Sequence, residues 1–450
     1  MIITNGRIVT WEVPNRILYD HAIYINKGQI HDLGPQSLIL SRYPDKEILD
    51  AQGQLVMPGN ICAHTHFYGA FSRGMNIPSS PPKDFFEILS KLWWPLDRSL
   101  THEDIYFSTM ICLIDAIKHG TTTLVDHHAS PNSIDGSLDV IAKAVHEAGL
   151  RCVLCYEVSD RNGAAGAMAG IAENVRFIKS IQDPSQYSSR VKGAFGLHAS
   201  LTLSSHTLDA CLEALPENVG FHIHAAESII DENDSINKYG KRVVERLFDH
   251  KILGPKSIVA HAVHVDPKEM EILAETKTWV THQPRSNMNN GVGVAPVETL
   301  LRKGIRVCLG NDGLSNAMWE EWKTAYLLQK SGNQDPRSLS ALDVVWISIF
   351  NNAGLVQEYF PDSSIGIIAP GVAADLIFVD YTPPTPMNEE NLPWHIIFGF
   401  HESMITTTMV AGEILMKDRK LTSIDENEVF SKSRELSQKV WKRYESSFKH

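Results

Sequence analysis

The sequence predicts an α/β protein: a (β/α)8 TIM barrel inserted in a small β-sandwich domain formed by the N- and C-terminal segments. Three observations predict it. From about residue 55, apolar strand-like runs alternate with amphipathic helix-like runs, and eight such strands can be counted. Continuous apolar strands separated by helices are the pattern of a parallel sheet covered on both faces. The flanks, residues 1–56 and 363–450, instead have the texture of short strands joined by glycine turns. Finally, seven of the eight strands end at or near a His or Asp. A closed barrel gathers its functional residues at the C-terminal ends of its strands. The expected division is therefore 1–56 with 363–450 as a discontinuous β domain carrying a C-terminal helix, and 57–362 as the catalytic barrel. An open doubly wound sheet is the runner-up. It usually carries a glycine-rich phosphate turn after its first strand, and none is visible.

Taken in order, Ile2–Val9 is β-rich with an Asn5-Gly6 turn signal, and Ala22–Ile30 contains a second turn. No helix-length periodic segment falls before residue 56. The barrel strands are expected at Leu55–His64, Thr121–His127, Arg151–Val158, Val191–His198, Val219–His224, Ser257–His261, Thr278–His282 and Arg306–Leu309. Between them, Thr101–Asp104 resembles a capping box, followed at helical spacing by Tyr106, Met110, Leu113, Ile114 and Ile117. Leu138, Ile141, Ala142 and Val145 form another stripe, stopped by Gly149, and Pro296–Leu301 a shorter one. After residue 363, Ile365–Gly371, Ala374–Asp380 and Thr406–Lys417 read as strands that can partner those at the N-terminus. Glu426–Phe448 is an amphipathic helix with Val429, Ser433, Leu436, Val440 and Tyr444 toward the body.

The composition narrows the function classes. With 450 residues, 43% of them hydrophobic, the chain can bury a large core. A formal net charge of -12 argues against a general nucleic-acid or anionic-membrane binder. The six cysteines are scattered, and Cys152 and Cys155 lie inside an apolar run, as strand residues rather than a redox or zinc pair. There is no apolar run of membrane-spanning length and no signal-peptide pattern, so a soluble cytoplasmic protein is expected.

The chemistry starts at His64-Thr65-His66. Residues two apart on a strand point the same way, so both imidazoles can reach one point, and imidazole is the commonest protein metal ligand. Further histidines stand at the ends of the other strands: His127 and His128, His198, His222 and His224, His261 and His264, and His282, with Asp312 after the eighth. His222 and His224 share a face, so alternation alone cannot choose between them. His261 and His264 face opposite ways if both are in strand, and His261 is the one expected in the site. His127 and His128 cannot both point inward.

Pro58-Gly59, His64-x-His66, His224-x-x-Glu227, Ala260-His261 and Asp312 resemble the amidohydrolase superfamily. Trp94–Asp104, His119–Thr123 and Pro284–Asn287 are similar to its deaminase and chlorohydrolase (ATZ/TRZ-like) branch. His64–Tyr68, Asp126–Pro131 and Arg285–Asn290 most resemble aminohydrolases of the SsnA type. The resemblance runs over nearly the whole chain. It implies one divalent metal ion, Zn2+ or Fe2+, held by His64, His66, His224 and Asp312, a ligand set that suits either ion. It also implies Glu227 as the proton shuttle, His261 as the group that orients the attacking water, and Asp312 as a further proton acceptor. His198 matches a substrate-contacting position, although Leu197 replaces the Pro often found before it. Asp97 stands where adenosine-type deaminases of the branch often have a Glu that binds sugar, and the shorter acid weakens the case for a nucleoside. Lys192 lies at the wrong end of its strand to bridge two metals.

The expected function is hydrolytic deamination of a nitrogen heterocycle, purine- or pterin-like, with release of ammonia. The alternatives are cyclic C–N ring opening in purine catabolism and halide release; a non-enzymatic scaffold is disfavoured because every expected ligand is present. The expected partners are a small heterocyclic substrate and further copies of the same chain.

Overall fold

The computed structural model describes residues 1–183 and 185–448. The two ends of the chain build one continuous nine-stranded sheet. Its order runs Lys420–Leu421, Glu413–Lys417, Ile405–Val410, Leu376–Val379, Leu55–Pro58, Ile2–Val9, Ile17–Asn26 and Gln29–Pro35, with Ile48–Asp50 beside Ile2–Val9. The ends meet where Leu55–Pro58 pairs antiparallel with Leu376–Val379, Val56 opposite Phe378. The sheet packs around its own apolar core, which includes Ile8, Ile23, Val56, Leu376, Phe378 and Met409.

The barrel strands are Asn60–Thr65, Thr121–His128, Arg151–Tyr156, Val191–Gly193 continued by Phe195–Ala199, Phe221–Ala225, Ile258–His261, Trp279–His282 and Val307–Leu309, all parallel. Two strands differ from the sequence expectation. The run Leu55–His64 is two strands, because Pro58 cannot donate to a ladder and Gly59 presses on Thr122, where an added Cβ would sit 2.2 Å from its Cγ2. The chain passes there from the terminal sheet into the barrel. The fourth strand is broken at Ala194: its first half pairs with the third strand and its second half with the fifth. A Val158–Leu197 bridge carries the wall across the break.

The wall closes between the eighth and first strands. Asn311 and Asp312 donate their N–H groups to the His64 carbonyl, at 3.0 and 3.1 Å. Gly310 permits this approach, since a Cβ there would lie 2.7 Å from the His64 backbone. Asn352 staples the seam from outside: its Nδ2 donates to the Ile61 and Leu309 carbonyls and its Oδ1 accepts from Leu309 N–H.

The helices follow their stripes. His102–Lys118 starts at a reciprocal Thr101–Asp104 capping box, and Ser137–Ala148 ends at Gly149 with φ 78°. A seven-residue helix, Gln36–Arg42, lies where no periodic segment is legible, because only Ile39 of it is buried. Phe85–Arg98 is a continuous helical run that widens to a π turn at Leu89–Trp93. The C-terminal helix Glu426–Ser446 buries the expected Val429, Ser433, Leu436, Val440 and Tyr444. It hydrogen-bonds to the barrel: Trp441 donates to the Phe71 carbonyl, the Tyr444 hydroxyl to the Lys91 carbonyl and Arg443 to the Ser99 carbonyl. All six cysteines are buried and unbridged.

Candidate active site

The first strand delivers His64 and His66 to the barrel's C-terminal mouth, and the fifth delivers His224. Asp312 follows the eighth. Their side-chain donor atoms lie within 4.8 Å of one another. His64 Nε2 and His66 Nε2 stand 2.9 and 3.0 Å from Asp312 Oδ1, and His66 Nε2 stands 3.2 Å from His224 Nε2. The opposite ring nitrogens are engaged elsewhere. His66 Nδ1 meets the His127 carbonyl at 2.5 Å and His224 Nδ1 the His198 carbonyl at 2.8 Å. A carbonyl only accepts, so both Nδ1 atoms carry hydrogen and both Nε2 lone pairs aim inward. His64 Nδ1 lies 2.8 Å from His222 Nε2, which lets His64 adopt the same tautomer.

Three inward lone pairs and a carboxylate at these separations form a donor set for a divalent cation. Electrostatics agree. Burial disfavours a charged imidazole at His66, yet Asp312 outweighs it and pushes the group up to about 9. The centre thus calls for positive charge, which a metal ion can supply in place of the proton.

A second cluster adjoins this one. His261 Nε2 lies 3.4 Å from Glu227 Oε2 and 3.8 Å from Asp312 Oδ1. Its Nδ1 pairs with Asn287 Oδ1 at 2.9 Å. Burial first, and then the Asp312 carboxylate, push Glu227 well above the usual carboxylate range. Asp312 moves the other way: burial opposes ionisation, but His261, His64 and His66 hold it well below that range. The backbone is bent to deliver these groups. Ala226, His261, Ala262 and Asp312 all have left-handed φ angles, of 52°, 74°, 49° and 58°. Such conformations are costly for residues other than glycine and cluster at functional sites.

Above the centre opens a cavity of about 560 Å³. His66, His224, Glu227 and Asp312 lie at its floor, and Tyr68, Phe85, Leu89, Leu92, Trp93 and Trp94 form an apolar, largely aromatic wall. Aromatic faces of this kind can stack on a planar ligand.

A model of the amidohydrolase family matches residues 55–415. The chain belongs to the amidohydrolase family. It is 29% identical to a 5-methylthioadenosine/S-adenosylhomocysteine deaminase of Pelotomaculum thermopropionicum, covering 98% of this chain and 99% of that one. It is 31% identical to a 5'-deoxyadenosine deaminase of Methanothermobacter thermautotrophicus, covering 91% and 92%. Among solved structures it superposes on an adenosine deaminase from Xanthomonas campestris with bound zinc, at 22% identity, a TM-score of 0.85 and 98% coverage of both chains. The zinc complex of atrazine chlorohydrolase TrzN from Arthrobacter aurescens gives 20%, 0.80, and 97% and 99%. The amidohydrolase is accordingly a hydrolase of carbon–nitrogen bonds of the deaminase type, and the barrel with its terminal sheet domain is the shared fold.

The amidohydrolase site brings together most of the residues expected from sequence. His198 lines the cavity, held by Thr202 Oγ1 at 2.6 Å from its Nδ1. Asp97 does not reach the cavity wall. Its carboxylate is 1% exposed and pairs with Arg161 Nη2 at 2.8 Å. His127 is the inward member of its pair, between the His222 carbonyl and Glu157, while His128 turns to Ser130. His222 sits one layer below the ligands, against His64, and His264 donates to the Val292 carbonyl outside the centre. His282 is buried, with neither ring nitrogen partnered among the described residues. Lys192 stands over the Phe360 ring, in the half of the fourth strand that pairs with the third.

Sequence reasoning missed four groups. Ser286 donates to Asp312 Oδ2 at 2.5 Å, Asn287 holds His261, and Asn290 Nδ2 lies 3.4 Å from Glu227 Oε1. All three come from Pro284–Asn290, a seven-residue helix started by its proline after the seventh strand. The fourth is Glu157. The third strand carries no His or Asp at its rim; the acid at the end of its apolar run was the signal.

Proposed function

We propose that this amidohydrolase deaminates an amino-bearing purine- or pterin-like ring, using one zinc or ferrous ion held by His64, His66, His224 and Asp312. When bound, a divalent cation supplies the Lewis acidity that makes water nucleophilic at neutral pH. The chain's own groups do the rest. Glu227 takes a proton from the water and passes it to a ring nitrogen next to the attacked carbon; its raised proton affinity favours the first of these steps. His261, fixed through Nδ1 by Asn287, aims Nε2 at the space between Glu227 and Asp312 and orients the water there. Asp312 accepts a proton that the leaving amine collects as ammonia. The aromatic wall excludes bulk water and holds the ring flat, with His198 at its edge.

The observation that carries this reading is the joining of the inward-facing ligand set to the Glu227–His261 pair across one shared carboxylate, Asp312. Arg161 occupies Asp97, the acid expected to reach a sugar, which argues for a base, whereas the names of both relatives, deaminases of adenosine derivatives, argue for a nucleoside. The deaminase names of the relatives support the reaction. The test is ammonia release by metal-loaded enzyme across purines, oxopurines, pterins and triazines, with metal content measured in parallel. Glu227→Gln is expected to keep its metal and lose about 10²–10⁴-fold in kcat, the range for a general acid–base group. A Glu227→Gln enzyme that turns over normally on a true substrate would overturn the mechanism.

A further inference from the structure

Glu157 follows the third barrel strand and is 3% exposed, yet its side chain lines the cavity. Two groups hold it from behind. Oε2 lies 3.1 Å from His127 Nδ1 and Oε1 lies 3.5 Å from Arg161 Nη2. Arg161 also serves Asp97, so one guanidinium is shared by two buried carboxylates. The hydrogen-bonding capacity of Glu157 is not used up: each carboxylate oxygen offers two lone pairs, and these contacts account for one on Oε2 and one on Oε1. Buried charge with spare acceptor capacity at a cavity wall is costly unless something donates to it.

The place of this carboxylate decides what can donate. Donor atoms of Glu157, His127 and His66 lie within 4.8 Å of one another, so Glu157 stands about one ring's width from the metal-ligand centre. It is two strands round the rim from Glu227, with His198 on the strand between. A ring whose attacked carbon lies over the ligands therefore meets Glu227, His198 and Glu157 along its own edge. A substituent hanging from the far side of the ring would project past them, up the apolar wall.

We propose that Glu157 is a specificity-determining residue that accepts a hydrogen bond from a second N–H donor on the substrate ring, besides the amino group that is lost. This rests on the deaminase reading above and narrows it. The substrate class is an aminated heterocycle with a further ring N–H or exocyclic N–H on the edge facing Glu157. Arg161 and Asp97 are positioning residues: they hold the carboxylate at the wall and leave its free lone pairs to the ligand. A site built around a buried acceptor rejects an analogue lacking the donor far more strongly than an apolar pocket rejects an extra methyl group.

The experiment compares pairs of aminated purines and pterins that differ by one N–H replaced by N–CH3. Equilibrium binding to metal-loaded enzyme is measured by calorimetry alongside ammonia release. For one such position the wild type is expected to prefer the N–H member by roughly 10–100-fold, the value of one hydrogen bond to a charged group. Glu157→Met, which removes the acceptor, is expected to collapse that preference toward unity with metal content unchanged, and Glu157→Gln and Glu157→Asp, which keep an acceptor oxygen, to retain part of it. Equal binding of both members at every position by the wild type would overturn the proposal. So would a Glu157→Met enzyme that keeps the preference. If the wild type binds the N–H member selectively but releases no ammonia from any ring, Glu157 stands as the recognition group and the deaminase reading falls.

Discussion

His64 shows how one side chain ties the site to the barrel beneath it. Its Nε2 faces Asp312 and its Nδ1 faces His222 Nε2, whose own Nδ1 is 3.9 Å from Cys155 Sγ. For Nε2 to be free as a ligand, Nδ1 must carry the hydrogen, and His222 is the acceptor that favours that tautomer. Replacing His222 with Leu fills similar space but removes the acceptor. The expected result is a 10–100-fold weaker zinc affinity, measured by competition with a chromophoric chelator. An unchanged affinity would show that His222 only fills the interior. This is also where legibility in the sequence ends. The His64-x-His66 pair follows from strand alternation alone. The division of labour between His222 and His224 does not, because both share a face and only their depth in the barrel separates them. The choice of His127 over His128 likewise needs the register of the second strand on the third, where His127 lies opposite Cys155.

At the scale of elements, three helices of the fifth and sixth βα units are tied by one charge cluster. Arg242, at the start of helix Val243–Asp249, contacts Glu232 of Ile229–Tyr239 at 3.3 Å and Glu269 of Pro267–Glu275 at 2.7 Å. Burial, and then the neighbouring Glu269, push Glu232 up to about 8 from its ordinary 4.5. The folded protein therefore binds this proton more tightly than the unfolded chain. The contribution to stability is full below about pH 4.5 and is lost as pH rises through 4.5 to 8. Glu232→Gln mimics the protonated form without titrating. Relative to the parent, it is expected to be neutral near pH 5 and more stable at pH 9, by roughly 1–2 kcal/mol after allowance for solvent screening. Urea melts of both proteins across that range give the comparison; a difference independent of pH would rule the linkage out. The long elements were legible because their stripes repeat over several turns, as in Ser137–Ala148 and the C-terminal helix. Gln36–Arg42 and the helical run Phe85–Arg98 were not. The first buries a single apolar residue, and the second turns Phe85, Trp93 and Trp94 to the cavity and leaves Phe86 exposed.

For the whole molecule, the weak line is the seam between the eighth and first strands. The other neighbouring walls are hydrogen-bonded ladders or, at the third and fourth strands, a ladder continued by a bridge. At this seam two N–H groups reach one carbonyl and the Asn352 side chain supplies the remaining bonds. Asn352→Ala would leave the Leu309 N–H and the Ile61 and Leu309 carbonyls buried and short of partners. The expected cost is about 3–5 kcal/mol, from roughly 1–3 kcal/mol per unsatisfied group with partial relaxation. The ligand set crosses the same seam: His64 and His66 stand on one side and Asp312 on the other, with His224 reaching from the fifth strand. A bound cation adds a tie there that mass action values at about 4 kcal/mol when its concentration is 1,000 times Kd. The two ties act on one opening motion, so they should not add. Chelation is expected to lower the melting temperature of the wild type, and zinc to restore it. In Asn352→Ala the drop on chelation should be larger than in the wild type, because the metal is then the principal tie left across the seam. A double cycle of Asn352→Ala against chelation measures that coupling directly. A coupling within about 0.5 kcal/mol of zero would mean that the metal braces the site locally and leaves barrel closure to the backbone.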